Sequence, residues 1–129
     1  MSWIFLGVAA VEALHHQQIK RFGGSYGLRD MGLLESAIAR AENKAAYDEV
    51  ATAAVIAASL GWGLIKNHAF IDGNKRIGLV SMVVFLRLNG YAFSVPEQEQ
   101  VMMVLRAAAS EISEDEWTGW VEQNVRPVR

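Results

Sequence analysis

Apolar residues recur along this chain mainly at intervals of three and four, the spacing that places side chains on one face of an α-helix. The first set predicts a helix near the N-terminus and consists of Val8, Val11, Leu14, Ile19 and Phe22. Two glycines, at positions 23 and 24, end that pattern. Residues 23–32 contain four glycines and are expected to form a surface loop or a short hairpin.

The next two patterns predict helices of different exposure. Asp30 is a suitable N-cap for a second helix, because its carboxylate can accept a hydrogen bond from the first turn. The inner face of that helix is expected to consist of Leu34, Ile38 and Ala41. A third helix, over roughly 47–65, is apolar almost all round, which is typical of a buried helix.

The second half of the chain continues the helical pattern. A fourth helix is expected from Gly73–Asn74 to Asn89–Gly90, followed by an edge strand or an extended connection at 91–95. Two further helices are expected near 97–110 and 114–125. The pattern therefore predicts an all-α fold, a compact helical bundle.

The last of these helices has a recognisable beginning and a clear inner face. Ser113 and Glu116 have the spacing of a capping box, in which each side chain bonds the main chain of the other residue. Trp117, Trp120 and Val121 are expected to face the core. The pair Met102 and Met103 is likewise interpreted as core and not as a binding motif.

Composition limits the classes of function. A chain of 129 residues with 52% apolar side chains is expected to form a single domain over 1–129. Its net charge of -2 provides no general attraction to nucleic acid or to acidic membranes, so neither is an expected partner. There is no cysteine, which excludes disulfides and thiolate sites.

The apolar stretch 50–65 is shorter than the about 20 residues of a membrane helix. The N-terminus lacks the positive start of a secretory signal. A cytoplasmic location is expected.

One segment, 68–76, contains the groups that a phosphate-transfer site requires. His68 has a side chain suited to removing a proton from an attacking hydroxyl. Asp72 offers the hard oxygen ligand that Mg²⁺ prefers when it bridges phosphates. Phe70 lies between them and is expected to anchor the loop by burying its ring. Read one at a time, these residues are ordinary turn, surface or structural positions; their order at a helix–loop–helix junction favours a functional site.

The same segment ends in a predicted anion site. Gly73 allows main-chain N–H groups to approach a phosphate, and a helix N-terminus follows with unpaired donors. Asn74, Lys75 and Arg76 add side-chain donors there. Two cations are unfavourable at a helix N-terminus unless an anion lies between them and the helix. These four residues are therefore the candidate phosphate-binding residues.

The segment resembles the signature of the Fic/Doc (Fido) superfamily, H-x-F-x-D/E-G-N-x-R, and matches it at every fixed position. Further stretches are similar to the Doc, or death-on-curing, branch: Arg21-Phe-Gly-Gly, then Gly27-Leu-Arg-Asp-Met-Gly-Leu-Leu-Glu-Ser-Ala, then Ala46-Tyr-Asp-Glu. The resemblance implies a helical Fido fold in which residues 23–32 form a flap that aligns the target. It also implies His68 as general base, Asp72 as Mg²⁺ ligand, and residues 73–76 as the nest for the phosphates of ATP.

The resemblance further implies a toxin that modifies a protein hydroxyl. Two positions decide which group is transferred: adenylylating Fic proteins carry G-N-G-R-x-x-R, whereas this chain has Lys75 for the second glycine and Leu79 for the second arginine. The lysine is similar to Doc toxins, which phosphorylate a threonine of elongation factor Tu. Phosphate transfer from ATP is the leading hypothesis. An adenylyltransferase and a catalytically silent binding module remain the alternatives.

Weaker signals are interpreted as structural. His15 and His16 are neighbours on a helix, point in different directions, and are expected to be solvated surface. Ser110 with Glu114, and Thr118 with Glu122, have the S/T-x-x-x-E spacing of the Fic inhibitory helix. Both pairs lack the following Gly or Asn and are interpreted as coincidence. The resemblance therefore implies an inhibitor in trans, an antitoxin whose tail folds against this protein.

Overall fold

The computed structural model describes residues 2–128, and their secondary structure is mainly helical. In chain order the elements are α1 (Val8–Phe22), α2 (Met31–Tyr47), α3 (Ala53–Asn67), α4 (Asn74–Leu88), β1 (Tyr91–Phe93), α5 (Glu97–Ala108), α6 (Glu114–Gln123) and β2 (Val125–Pro127). The two strands pair antiparallel, with Ala92 opposite Arg126. The predicted helical bundle is confirmed, and the connection at 91–95 contains a strand.

Helix α3 occupies the centre of the bundle. Eleven of its fifteen residues are buried, so it has no solvent-facing stripe and packs against α2, α4 and α6. Thr52 caps its N-terminus by accepting from the N–H of Val55. Because α3 ends at the beginning of segment 68–76, the most buried helix supports the candidate site.

Helices α3 and α4 approach closely where two glycines meet. A methyl group placed on Gly78 would lie 2.6 Å from Cγ1 of Ile65 and 3.0 Å from the carbonyl oxygen of Gly61. On Gly61 it would lie 3.3 Å from the carbonyl oxygen of Gly78. A side chain at either position would therefore force Ile65 or the facing main chain to shift.

The predicted start of the third helix was wrong. Helix α2 continues to Tyr47, and residues 48–52 form a turn in which the N–H of Ala51 donates to the carbonyl oxygen of Asp48. The third helix then covers Ala53–Asn67 instead of 47–65. The uniform apolarity of this stretch correctly predicted that α3 is buried, but it did not reveal the turn at 48–52. Alanine and valine occur both in the turn and in the helix, so they do not mark where the helix begins.

The capped helices follow the sequence closely. Asp30 accepts from the N–H of Leu33, and the capping box of Ser113 and Glu116 is complete. Trp117 is fully buried in the core. The core interpretation failed at Met102, which is 44% exposed on the outer side of α5. Within residues 2–128, no helix combines the length and apolarity needed to cross a lipid bilayer.

Candidate active site

His68 stands at the point where α3 ends. Its main chain adopts the left-handed conformation (φ 52°, ψ 48°), which turns the chain sharply out of the helix. Its carbonyl oxygen accepts a hydrogen bond of 2.7 Å from Nε of Arg29. The residue is exposed, and its imidazole bonds to no other described residue. The ring is therefore free to meet a substrate hydroxyl.

Phe70 and Asn74 close the loop that follows. Phe70 is only 3% exposed. Its N–H donates to Oδ1 of Asn74 at 3.0 Å, and Nδ2 of Asn74 donates to its carbonyl oxygen at 2.9 Å. The Asn74 amide thus shapes the loop through these two bonds. The main-chain N–H of Asn74 still lies at the helix end.

Asp72 is the carboxylate at the tip of the loop. Its Oδ2 accepts from the N–H of Ser25 at 3.1 Å, and its Oδ1 accepts from the N–H of Gly73 at 2.8 Å. These two main-chain donors, together with the positive charge of Arg76, hold the pKa of the Asp72 carboxyl below its ordinary value. An exposed, ionised carboxylate with remaining oxygen lone pairs can hold a divalent cation.

The N-terminus of α4 presents donors beside this carboxylate. Gly73 is its N-cap, in the left-handed conformation (φ 75°), and provides no side chain to cap the helix. In the described part of the chain, the N–H groups of Asn74, Lys75 and Arg76 donate to no main-chain acceptor, and Gly73 offers no side-chain cap. Lys75 is exposed. Unpaired N–H groups, the helix dipole and an ammonium group together favour an anion here.

Arg76 is partly committed to the protein itself. Its Nη1 donates to the carbonyl oxygens of Gln18 and Gly23, both at 3.2 Å, and its guanidinium lies 5.9 Å from the ring centre of Phe22. These carbonyls belong to the last turn and the C-cap of α1, where a cation is favourable. Arg76 therefore ties α4 to α1 and leaves its other nitrogens for a ligand.

A groove runs from this anion site towards α5. It has a volume of about 240 Å³ and is lined by residues 72–76 and Leu79, with Val101, Val104 and Leu105 on the opposite wall. A larger cavity of about 740 Å³ lies elsewhere, near Trp3 and Thr52, and contains no residue of the segment 68–76. The smaller groove is the one that contains the charged side chains of Asp72, Lys75 and Arg76 together with the helix N-terminus.

The loop before α2 is joined to the same segment by main-chain bonds. The N–H groups of Arg29 and Asp30 both donate to the carbonyl oxygen of Ala69, and that of Ile71 donates to Gly27. Leu28 and Phe70 form an isolated antiparallel bridge. The predicted flap is thus an extended loop along the segment, and the hairpin alternative was wrong.

His15 was missed by the sequence interpretation. It is only 3% exposed, its Nε2 donates to the carbonyl oxygen of Asp72 at 2.7 Å, and its ring stacks on Phe70 with centres 3.9 Å apart. His16 is exposed, as expected. The signal was available, because His15 lies four residues from Val11 and four from Ile19, which are both buried.

No group of three or more His, Cys, Asp or Glu side chains in residues 2–128 is arranged to hold a metal ion. Asp72 can supply one oxygen ligand, and Mg²⁺ is commonly held by one or two carboxylates together with substrate phosphates. The donor chemistry of the loop therefore fits Mg²⁺ delivered with a nucleotide.

Comparison with known proteins agrees with the fold and the motif. The Fic/DOC family profile matches residues 5–86. The protein kinase Doc of Escherichia phage P1 is 37% identical over 102 residues, which is 78% of this chain and 79% of the phage protein. The toxin Doc of Mycolicibacterium smegmatis is 37% identical over 86 residues, which is 63% of this chain and 66% of that protein. The chain belongs to the Fic/DOC family and to its Doc branch.

Proposed function

We propose that this protein is a toxin that transfers phosphate from ATP to a hydroxyl group of a target protein. The single observation that carries the proposal is the placement of an exposed imidazole, His68, at one end of a loop whose other end is a helix N-terminus with free N–H donors. The names of the two relatives, a protein kinase and a toxin, support the same function. The resemblance implies a threonine of elongation factor Tu as the target.

In the proposed reaction, His68 removes the proton from the target hydroxyl, and the hydroxyl oxygen forms a bond to the γ-phosphorus of ATP. The bond from that phosphorus to ADP breaks, and ADP leaves. The main-chain N–H groups of residues 74–76 and the Lys75 ammonium stabilise the charge on the transferred phosphoryl group. Asp72 would hold Mg²⁺, which would neutralise part of the charge on the phosphates. The protein acts mainly by positioning the reactants and by electrostatic stabilisation, because phosphoryl transfer requires little covalent chemistry from the enzyme.

Two features favour phosphate transfer over AMP transfer. Leu79 and three α5 side chains give the groove beside Lys75 an apolar wall, which offers no cation to a departing pyrophosphate. Arg76 is partly occupied by the carbonyls of α1, whereas the Lys75 ammonium makes no hydrogen bond or ion pair with a residue of 2–128. A lysine is a compact point charge that suits a terminal phosphate. The γ-phosphate would then occupy the nest, with the adenosine directed outwards.

Isotope placement and intact mass distinguish the two reactions. Purified elongation factor Tu is incubated with the protein, Mg²⁺ and ATP labelled at either the α- or the γ-phosphate. With the wild-type protein, we expect the target to incorporate label only from the γ-position and to gain the mass of one phosphate. With the His68→Asn variant, we expect neither the label nor the mass increase. Label from the α-position with an AMP-sized increase would establish the adenylyltransferase alternative. Nucleotide binding without any modification of the target would favour the silent binding module.

The proposed toxin requires control by a partner. Glu114, which has the spacing of an inhibitory glutamate, forms an ion pair with Arg40 instead of approaching segment 68–76. We therefore propose an antitoxin in trans. Expression of the chain alone in a bacterium is expected to arrest growth, and co-expression of a cognate antitoxin to restore it. Unimpaired growth with abundant folded protein would contradict the toxin assignment.

A further inference from the structure

The imidazole of His15 lies directly beneath the loop that carries the candidate chemistry. It meets the loop at three places: its ring stacks on Phe70 at an angle of 12°, its Nε2 bonds the Asp72 carbonyl, and it lies under Gly73. A methyl group on Gly73 would lie 3.5 Å from that Nε2. Only 3% of the residue is exposed, so its side chain cannot contact a bulky substrate directly.

The hydrogen bond fixes which atom carries the proton. A carbonyl oxygen only accepts hydrogen bonds, so Nε2 of His15 must be the donor at 2.7 Å. The Asp72 carbonyl is thereby directed inwards, towards α1. In a trans peptide the C=O and N–H bonds point in opposite directions. The N–H of Gly73 is consequently directed outwards, where it meets Oδ1 of Asp72 at 2.8 Å.

We propose that His15 is a positioning residue for the transfer reaction, which sets the orientation of the peptide between Asp72 and Gly73. This proposal rests on the proposed function. Rotation of that peptide would reverse the Gly73 N–H and move the Asp72 carboxylate away from the N–H of Ser25. The proposed metal ligand and the first residue of the nest would then lose their alignment together.

Asn74 does not replace this function. Its amide secures the other end of the loop through the N–H and carbonyl groups of Phe70. Phe70 is thus the shared support, bonded through its main chain to Asn74 and stacked through its ring on His15. The Asn74 amide joins the two ends of the turn 70–74, whereas His15 bonds its middle at the Asp72 carbonyl. Among the side chains of residues 2–128, His15 is the one that bonds this carbonyl.

Three substitutions separate positioning from packing. In His15→Gln the amide nitrogen lies close to the position of Nε2 and can donate to Asp72. In His15→Asn the side chain is one methylene shorter and does not reach. His15→Phe keeps an aromatic ring on Phe70 but has no donor. If the hydrogen bond is decisive, Gln keeps kcat near that of the wild type, while Asn and Phe lower it on the order of tenfold to a hundredfold.

A second readout does not depend on catalysis. The amide of Gly73 is observed by ¹⁵N NMR, and its hydrogen exchange is compared among the three variants and the wild type. We expect exchange close to that of the wild type in His15→Gln and faster exchange in His15→Asn and His15→Phe. If the wild type transfers no group, the proposed function fails and this measurement alone decides the orientation of the peptide.

Two results would overturn the proposal. One is equal kcat and equal Gly73 exchange in the Gln and Asn variants. The other is a Phe variant more active than the Gln variant, which would show that only the shape of the ring matters. If His15→Phe does not fold, the Gln and Asn variants still provide the comparison, because they share their chemistry and differ by one methylene.

Discussion

Arg29 donates from Nε to the carbonyl oxygen of His68 at 2.7 Å and from Nη2 to that of Asn67 at 3.3 Å. These carbonyls belong to the end of α3, where a cation is favourable on dipole grounds. The N–H of Arg29 also donates to Ala69, so a single flap residue is bonded to three consecutive residues of the site. Arg29 therefore couples the flap to the main chain that carries the proposed base.

The first prediction concerns this coupling. Arg29→Ala should lower the rate of transfer and leave folding almost unchanged, because Arg29 is exposed. Arg29→Lys, with a single terminal nitrogen, should retain an intermediate rate. Arg87→Ala, at an exposed position in the last turn of α4, is the matched control and should transfer normally. Similar rates for the Arg29 and Arg87 alanine variants would show that the coupling has no catalytic role.

The second prediction separates the imidazole of His68 from its main-chain conformation. Alanine is strained in the left-handed region, whereas asparagine and glycine adopt it readily. Both His68→Asn and His68→Gly should therefore fold with near wild-type Tm and lose transfer by roughly 10² to 10⁴-fold, the usual contribution of a general base. Steady-state transfer rates and thermal unfolding are measured together. Substantial transfer by either folded variant would argue that another group removes the proton.

The third prediction concerns the proposed metal ligand. Asp72→Asn keeps the size of the side chain and an oxygen acceptor but removes the charge that Mg²⁺ requires. Calorimetric titration with ATP should show weaker binding in the presence of Mg²⁺ and little change, or tighter binding, without it. An equal loss under both conditions would indicate that Asp72 only shapes the turn.

The fourth prediction follows from the lowered pKa of Asp72. A carboxyl whose folded pKa is depressed stabilises the fold above its unfolded pKa, and this contribution is lost as the pH falls through the folded pKa. Titration by ¹³C NMR should place the Asp72 midpoint below that of an unstructured aspartate. Since the main-chain donors Ser25 and Gly73 are the largest causes, Arg76→Gln should raise the midpoint only slightly. A return to the ordinary value in that variant would make Arg76 the main cause.

The fifth prediction concerns the crossing of α3 and α4. Gly78→Ala places a methyl group 2.6 Å from Ile65 and should lower the free energy of unfolding by about 1–3 kcal/mol. The control is Gly119→Ala in α6, where the new methyl group has no neighbour within 4 Å. That change should be neutral or stabilising by about 0.4–1 kcal/mol, because it restricts the unfolded chain. Chemical denaturation of both variants measures the difference, and equal stabilities would contradict the close crossing.

The sequence predicted elements best where a local signal marked their ends. Asp30, Gly23 and the Ser113–Glu116 box each act within one turn, so the corresponding boundaries lie within a residue or two of the structure. The start of α3 carries the weaker signal of Thr52 inside an alanine-rich stretch, and it was placed too early. Strand β2 had no local signal, because its pairing with β1 depends on a contact distant in the chain.

The candidate site was predictable in composition but not in geometry. The motif specified His68, Asp72 and the nest, yet it could not show that the Asn74 amide is directed inwards to Phe70. The prediction that His15 is solvated was wrong, because its adjacency to His16 does not determine which face of α1 it occupies. On a helix, the residues four positions away determine the face, and Val11 and Ile19 are both buried. At Met102 the prediction was wrong in the opposite direction, because this apolar residue was expected in the core and is exposed. Apolar residues on the outer face of a helix are common.

The glycine crossing has a consequence for any attempt to move this chemistry to another scaffold. His68 ends α3 and Asn74 begins α4, so the separation between the proposed base and the anion site depends on how closely these two helices approach. That approach is possible because Gly61 and Gly78, well inside the helices, lack a methyl group. Grafting residues 68–76 onto a different helical hairpin would transfer the motif but not the separation between the base and the anion site. That separation would be kept only if the receiving helices carried small residues at the equivalent turns.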